Sequence, residues 1–183
     1  MRSRGKVEPL TESELLRILR AADDIVGQGG RTLLSKILKG SRERKLLSLG
    51  LDRNPSYGCW RGVPQEEVMI RIDRAIATDY LMIEYSGKLP MVVFTGEGWS
   101  LERAQMVQEL LREWDEWIED GVMPPSMEYL KDRNRGMITL FLETIRQTGD
   151  PKYIPLLERW ELVDYRKVRA MIRDVVNALK VVR

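Results

Sequence analysis

The order of apolar and polar positions divides this chain into a run of short helices, one β segment, and a second helical run. Thr11 and Glu14 have the spacing of a capping box, and Leu15, Leu16, Ile18 and Leu19 follow at helical intervals, which predicts a helix to about Asp24. Gly27, Gly29 and Gly30 break it. A second helix is predicted over 31–39, stopped by Gly40, with Ser41 as the N-cap of a short third helix through about Leu49. After a loop over 50–62, Pro64 opens a fourth helix to about Asp79. Val68, Ile72, Ala75 and Ile76 make its apolar stripe, and Glu67, Arg71 and Arg74 are placed on its other face.

At Tyr80 the period changes. The segments YLMIEYS and MVVFT are rich in β-branched and aromatic residues, and Gly87-Lys88-Leu89-Pro90 between them reads as the turn of a hairpin. Helices followed by a hairpin is the element order of a winged helix, with the hairpin as its wing. A long helix capped by Ser100 is then predicted to about Asp120, carrying Val107, Leu110, Leu111, Trp114 and Ile118 on one face. Pro124 and Pro125 end it. Further helices are expected from Ser126, over 136–148, from Asp150-Pro151, and over 164–179, the last with Val168, Met171, Ile172, Val175 and Leu179 on one face. The fold class expected is therefore mainly α with a β-hairpin wing (α+β). A winged-helix domain over 1–98 is followed by a small all-α domain over 99–183.

Charge sharpens this division. The stretch 31–61 holds eight basic residues (Arg31, Lys36, Lys39, Arg42, Arg44, Lys45, Arg53, Arg61) against Glu43 and Asp52, a local +6 in a chain of formal charge +2. Leu33, Leu34, Ile37, Leu38, Leu46 and Leu47 recur through it at helical spacing, so the cations sit on a folded element and form a surface suited to a polyanion. Residues 1–97 carry +3 and 98–183 carry −1, which assigns a DNA ligand to the first half and leaves the C-terminal helices as a surface for a protein partner.

The chain has no histidine and one cysteine, Cys59, which removes His-based acid–base and nucleophilic catalysis, an internal disulfide and a thiolate zinc cluster. No apolar run reaches membrane-spanning length and MRSRGKVEPL has no apolar core of a signal peptide, so the expected setting is reducing cytosol, away from membranes. Gly27-Gln28-Gly29-Gly30 has a superficial likeness to a phosphate loop, but no Gly-Lys-Ser/Thr follows and no strand precedes, leaving a plain interhelical turn. No cofactor is expected. Cys59 reads as an inert thiol, and the carboxylates ending the long helix read as a solvated face in preference to a cation site. Tyr57 and Trp60 are expected to pack against the wing, with stacking on a terminal base as the other reading. Arg71 and Arg74 either read bases in a groove or, in the case of Arg71, pair with Glu67 at i,i+4.

The order of several short motifs resembles the RQC domain, the winged-helix module that follows the zinc subdomain in RecQ-type DNA helicases. The motifs are Lys39-Gly40-Ser41 closing an apolar helix, Lys45 four residues later, Tyr57-Gly58 in the next loop, Ala77-Thr78-Asp79-Tyr80-Leu81 ending a helix, and Phe94-Thr95-x-x-Gly98 after the hairpin. The likeness covers about 12–98. It implies a non-catalytic module in which Lys39, Ser41 and Lys45 touch DNA phosphates. It also implies a wing whose tip, here Lys88 and Leu89, meets a duplex end, fork or junction. The charge of the basic stretch adds Lys36, Arg42, Arg44, Arg53 and Arg61 as DNA-contacting candidates, and the face of the fourth helix adds Arg71 and Arg74. RQC wings often carry an aromatic or imidazole wedge at the tip; this one does not. The sequence has no P-loop, no acidic box for magnesium and no four-cysteine segment, so a free-standing module without ATPase chemistry is expected. The segment TGDPKYIPLLERW and the helix after it resemble a HEAT-type helical pair.

Overall fold

A computed structural model of the protein describes residues 9–181. Most of the N-terminal stretch read for a secretion signal lies outside them. Among the described residues there are eight α-helices and one two-stranded antiparallel sheet, the mainly helical α+β class expected. None of the helices is long and apolar enough to cross a membrane. The chain forms two compact units, one ending at Glu102 and the other beginning at Arg103.

In the first unit, α1 (Glu12–Asp23) starts on the capping box: the Glu14 amide donates to Thr11 Oγ1 at 3.2 Å and the Thr11 amide donates to the Glu14 carboxylate at 2.9 Å. Helix α2 (Arg31–Lys39) ends in a Schellman motif. Gly40 adopts φ 69°, its amide donates to the Ile37 carbonyl, and the Ser41 amide donates to the Lys36 carbonyl. This corrects the role expected of Ser41. Its amide closes α2, so α3 (Arg44–Ser48) begins three residues later, with Glu43 at its N-cap.

Helix α4 (Gln65–Ala77) ends in the same way, before the predicted Asp79. Asp79 takes the left-handed position at φ 65°, its amide donates to Ile76, and the Tyr80 amide donates to Ala75. The chain turns there into β1 (Leu81–Ser86), which pairs with β2 (Leu89–Phe94) from Leu81↔Phe94 to Ser86↔Leu89. The turn is only Gly87-Lys88, with Gly87 at φ 62° supplying the positive φ that tight hairpins need. Leu89 and Pro90, expected in the turn, belong to β2.

Helix α5 (Gly96–Glu119) starts one turn earlier than predicted. Thr95 caps it by accepting the Gly98 amide at 3.0 Å, and Ser100 lies within the helix. The core of this unit gathers α1, α2, α4 and the wing around Ile18, Leu19, Leu34, Ile37, Ile72, Leu81 and Val92.

In the second unit, the remainder of α5 and α6 (Arg135–Thr148), α7 (Ile154–Glu161) and α8 (Arg166–Val181) enclose an aromatic centre. Trp114 meets Phe141 edge-on at 4.9 Å and Trp160 edge-on at 6.0 Å between centroids, and Trp114 and Trp160 are fully buried. The helix expected from Ser126 is a single 3-10 turn, Glu128–Leu130. Helix α8 starts at Arg166, two residues past the expected Asp164, which is buried and accepts from the Trp160 indole and the Tyr165 amide, both at 2.6 Å.

Candidate nucleic-acid interface

The cations of 31–61 stand on α2, α3 and the loop after them. Residues of that loop complete the carbonyl ladder at the end of α2: the Gly58 amide donates to Ile37 and the Trp60 amide to Leu38, both at 2.9 Å. Tyr57 places its hydroxyl on the Ser41 carbonyl at 3.0 Å. A Cβ on Gly40 would meet the Gly58 Cα at 2.9 Å, and Gly58 itself holds φ 69°, so both positions favour glycine in this closure. The Lys-Gly-Ser and Tyr-Gly motifs are thus two halves of one joint, and Trp60 is buried beneath the Arg71 guanidinium, 4.7 Å from its ring.

Around this joint the sequence-predicted residues differ in what they engage. Arg42, Arg44 and Lys45 are exposed and have no acidic partner among the described residues. Lys36 is paired with Glu43 at 2.8 Å, and Arg61 lies over Gly40 and Gly58. Arg53 folds back over Gly50. Lys39 turns inward: its ammonium donates to the carbonyls of Arg61 and Val63, which holds the loop onto α2. Ser41 Oγ accepts the Glu43 amide at 3.3 Å and keeps its own proton for a further acceptor.

The structure corrects the expectation that Arg71 and Arg74 lie on the exposed face of α4. The Arg71 side chain is only 19% exposed, paired with Glu67 at 2.6 Å and Glu14 at 3.4 Å while it covers Trp60. Arg74 is half-buried with its Nε enclosed and unbonded. The Glu14 carboxyl is held below its ordinary range by the Thr11 amide, with Arg71 and Arg74 adding to the effect. The outward residues of α4 are Gln65, Glu66, Glu67, Ile70, Asp73 and Ala77, a face poorly suited to a phosphate-lined groove. The apolar stripe fixed the phase of the helix correctly and the i,i+4 pair of Arg71 with Glu67 is present; the reach of Arg71 to Glu14 and over Trp60 joins parts of the chain distant in sequence.

The wing stands across from α2. Its far edge is not bare: Val92 donates to the Gly29 carbonyl at 2.8 Å and accepts from the Gly27 amide at 3.1 Å. The glycine run after α1 is therefore a pairing edge for β2 as well as a turn, and a Cβ on Gly30 would strike the Pro90 carbonyl at 2.6 Å. Sequence reasoning missed this because a three-residue pairing segment carries no periodicity; glycines facing a proline-bearing strand were the available signal.

Between the wing and α2–α4 lies a groove of about 770 Å³. Arg31, Lys36 and Lys45 line one wall, and Ile83, Tyr85 and Leu89 the other. Tyr85 is 72% exposed and Leu89 62% exposed. Lys88, at the turn, is exposed beside them. Arg31 joins α2 to α4 through Asp73.

No cluster that could hold a metal ion occurs among the described residues. Burial raises the thiol pKa of Cys59, which favours the unreactive form.

The motif that closes the unit is equally structural. Thr95 donates its hydroxyl to the Asp79 carbonyl while capping α5, and Gly98 packs against the Tyr80 carbonyl so closely that a Cβ there would lie 1.9 Å from it. No curated protein and no solved structure matches the chain. Comparison with protein families matches residues 12–113 to the RQC domain, and that span is more than half of the 183 residues. With the joint at Gly40 and Gly58 and the lock at Thr95 and Gly98 both built from the residues that carried the resemblance, this chain belongs to the RQC domain family.

Proposed function

We propose that the protein is a non-catalytic DNA-binding module that grips the phosphate backbone at duplex ends, forks or junctions. The observation that carries this reading is the set of exposed, unpartnered cations Arg42, Arg44 and Lys45, held on a rigid joint beside a two-stranded wing in an RQC-family fold. Ser41, with a hydroxyl proton to offer, and Lys36 and Arg61 extend the contact. Arg53, Lys88 and Leu89 flank it. Lys39 acts by positioning, because its ammonium holds the loop that carries Arg61. The wing places apolar Leu89 and Tyr85 beside the cations and no wedge at its turn, which fits gripping better than strand separation.

Neutralising three to five phosphates gives a log–log salt slope of about −3 to −5. The test is the full chain against its Arg42→Glu/Arg44→Glu/Lys45→Glu variant, on blunt, overhung and forked duplexes at several salt concentrations. The reading expects a loss of about 10²-fold or more for every sequence and a shallower slope, since backbone contacts carry no sequence information. Equal binding by the variant in low salt refutes the assigned surface.

A protein partner on the C-terminal helices is the second part of the proposal. Trp117, Ile118, Val122 and Met123 line an apolar pocket of about 210 Å³ beside the exposed carboxylates of Glu116, Glu119 and Asp120. Indifference of the full chain to every DNA at modest salt would leave this adaptor role standing alone.

A further inference from the structure

The second unit segregates its charge. From residue 103 onward the chain has equal numbers of basic and acidic residues, yet the acids crowd the end of α5 while cations collect around two helix starts. Lys131, Arg133 and Arg135 lie on the turn leading into α6, and Arg166 and Lys167 open α8. Tyr165 ties these two places together: its hydroxyl donates to Asp132 at 3.1 Å, and the Lys131 ammonium sits 5.1 Å over its ring. Arg133, Arg135, Arg166 and Lys167 are exposed and have no acidic partner among the described residues. Arg103 adds a guanidinium against Gly136 in the first turn of α6. The nearby acids are Asp132, bonded to Tyr165, Asp164, which is buried, and half-buried Glu113, whose carboxyl feels the charge of Arg133 and accepts from Tyr129.

Neither α6 nor α8 has an acid in its first turn, and both begin with arginine. Cations at a helix N-terminus work against the macrodipole; Asn134 caps α6 through the Met137 amide and Asp164 stands at the start of α8, and beyond these the exposed charge at both ends is positive. Two apolar side chains flank the cluster, Leu162 at 80% exposure and Tyr165 at 51%. That is too little apolar surface to seat a helix in a bilayer, but it is enough to lie against a sugar or an unpaired base.

We infer that this end of the helical unit is a second contact for a nucleic-acid phosphate backbone, with Arg133, Arg135, Arg166 and Lys167 as the phosphate ligands. The inference rests on the DNA-binding reading above for the identity of the polyanion. Two contacts on one chain raise the effective concentration of the second once the first is bound.

The test compares three full-length chains on a duplex of about 30 base pairs across a salt series: wild type, Arg42→Glu/Arg44→Glu/Lys45→Glu, and Arg133→Ser/Arg135→Ser/Arg166→Ser/Lys167→Ser. Circular dichroism verifies that each is folded. Removing four phosphate ligands is expected to make the salt slope shallower by about 2 to 4 and to weaken binding by about 10- to 100-fold, with residual binding through the first unit. A serine variant with the slope and affinity of wild type overturns this inference and leaves the first-unit reading intact. A glutamate variant that binds like wild type while the serine variant does not overturns the first-unit reading instead. Wild type that binds no DNA in low salt overturns both. Phosphatidylserine vesicles form the last arm: binding to them that the serine substitutions abolish, with DNA binding unchanged, assigns the cluster to a membrane surface and refutes the inference.

Discussion

Two glycines separated by one residue in the first turn of α5 should respond to alanine in opposite directions. At Gly98 the added Cβ would lie 1.9 Å from the Tyr80 carbonyl oxygen, and that oxygen accepts the Thr95 amide at 3.2 Å. The clash can be relieved only by pushing backbone from backbone at the point where α4, β1 and α5 meet. Overpacking of this kind costs about 1–3 kcal/mol. Losing the Thr95 cap and its bonds adds about 1–2 kcal/mol, and the better helix propensity of alanine returns up to about 1 kcal/mol. Gly98→Ala should therefore destabilise the first unit by about 2–4 kcal/mol, which for a unit of roughly 100 residues is on the order of 10–25 °C in melting temperature. At Gly96 a Cβ meets nothing within 4 Å, so Gly96→Ala should be neutral or stabilising by up to about 1 kcal/mol. Thermal melts give the global effect, and hydrogen exchange with mass spectrometry on peptides covering β1 and β2 localises it. If Gly98→Ala melts with Gly96→Ala and leaves wing protection unchanged, the lock described for this motif does not hold.

Further substitutions probe the other structural assignments. Arg71→Ala removes two ion pairs and a cation–π contact, so it should cost about 1–2 kcal/mol while leaving DNA affinity within about twofold; a large affinity loss with unchanged melting would return Arg71 to the interface. Asp79 holds φ 65°, so Asp79→Val should cost about 1–2 kcal/mol while Asp79→Gly is tolerated, and equal melting of the two would refute the Schellman assignment. Burial raises the Glu113 carboxyl above its ordinary 4.5 despite the hydrogen bond from Tyr129. A raised carboxyl contributes most when protonated in both states, and that contribution falls as pH rises from the unfolded value through the folded one. Glu113→Gln should thus gain stability over wild type as pH rises through that window, read as the difference between their melting curves; a difference independent of pH contradicts it.

Local signals were sufficient where the physics is local. The Thr11–Glu14 box, the stop at Gly40, the amphipathic stripes and the β-branched and aromatic content of MVVFT act within a few residues, and the elements they predict are present. They also carried the family, because glycines at fixed spacing register close backbone approaches. Local signals failed where a residue had two possible partners. Ser41 could cap the next helix or close the previous one, and the 6→1 bond to Lys36 decided it. Ser100 yielded to Thr95 because Thr95 also reaches Asp79 across the base of the wing. The charge count located the basic stretch but could not tell free cations from engaged ones: Lys39 faces loop carbonyls 22 and 24 residues away, and Arg71 faces Glu14. It also averaged the second unit to neutrality and so hid a cluster assembled from two segments around Tyr165. Composition and periodicity determined which elements form and that one stretch is basic. Only the tertiary structure decided which charges remain open to a ligand, because pairing is set by distances between parts of the chain that the sequence keeps far apart.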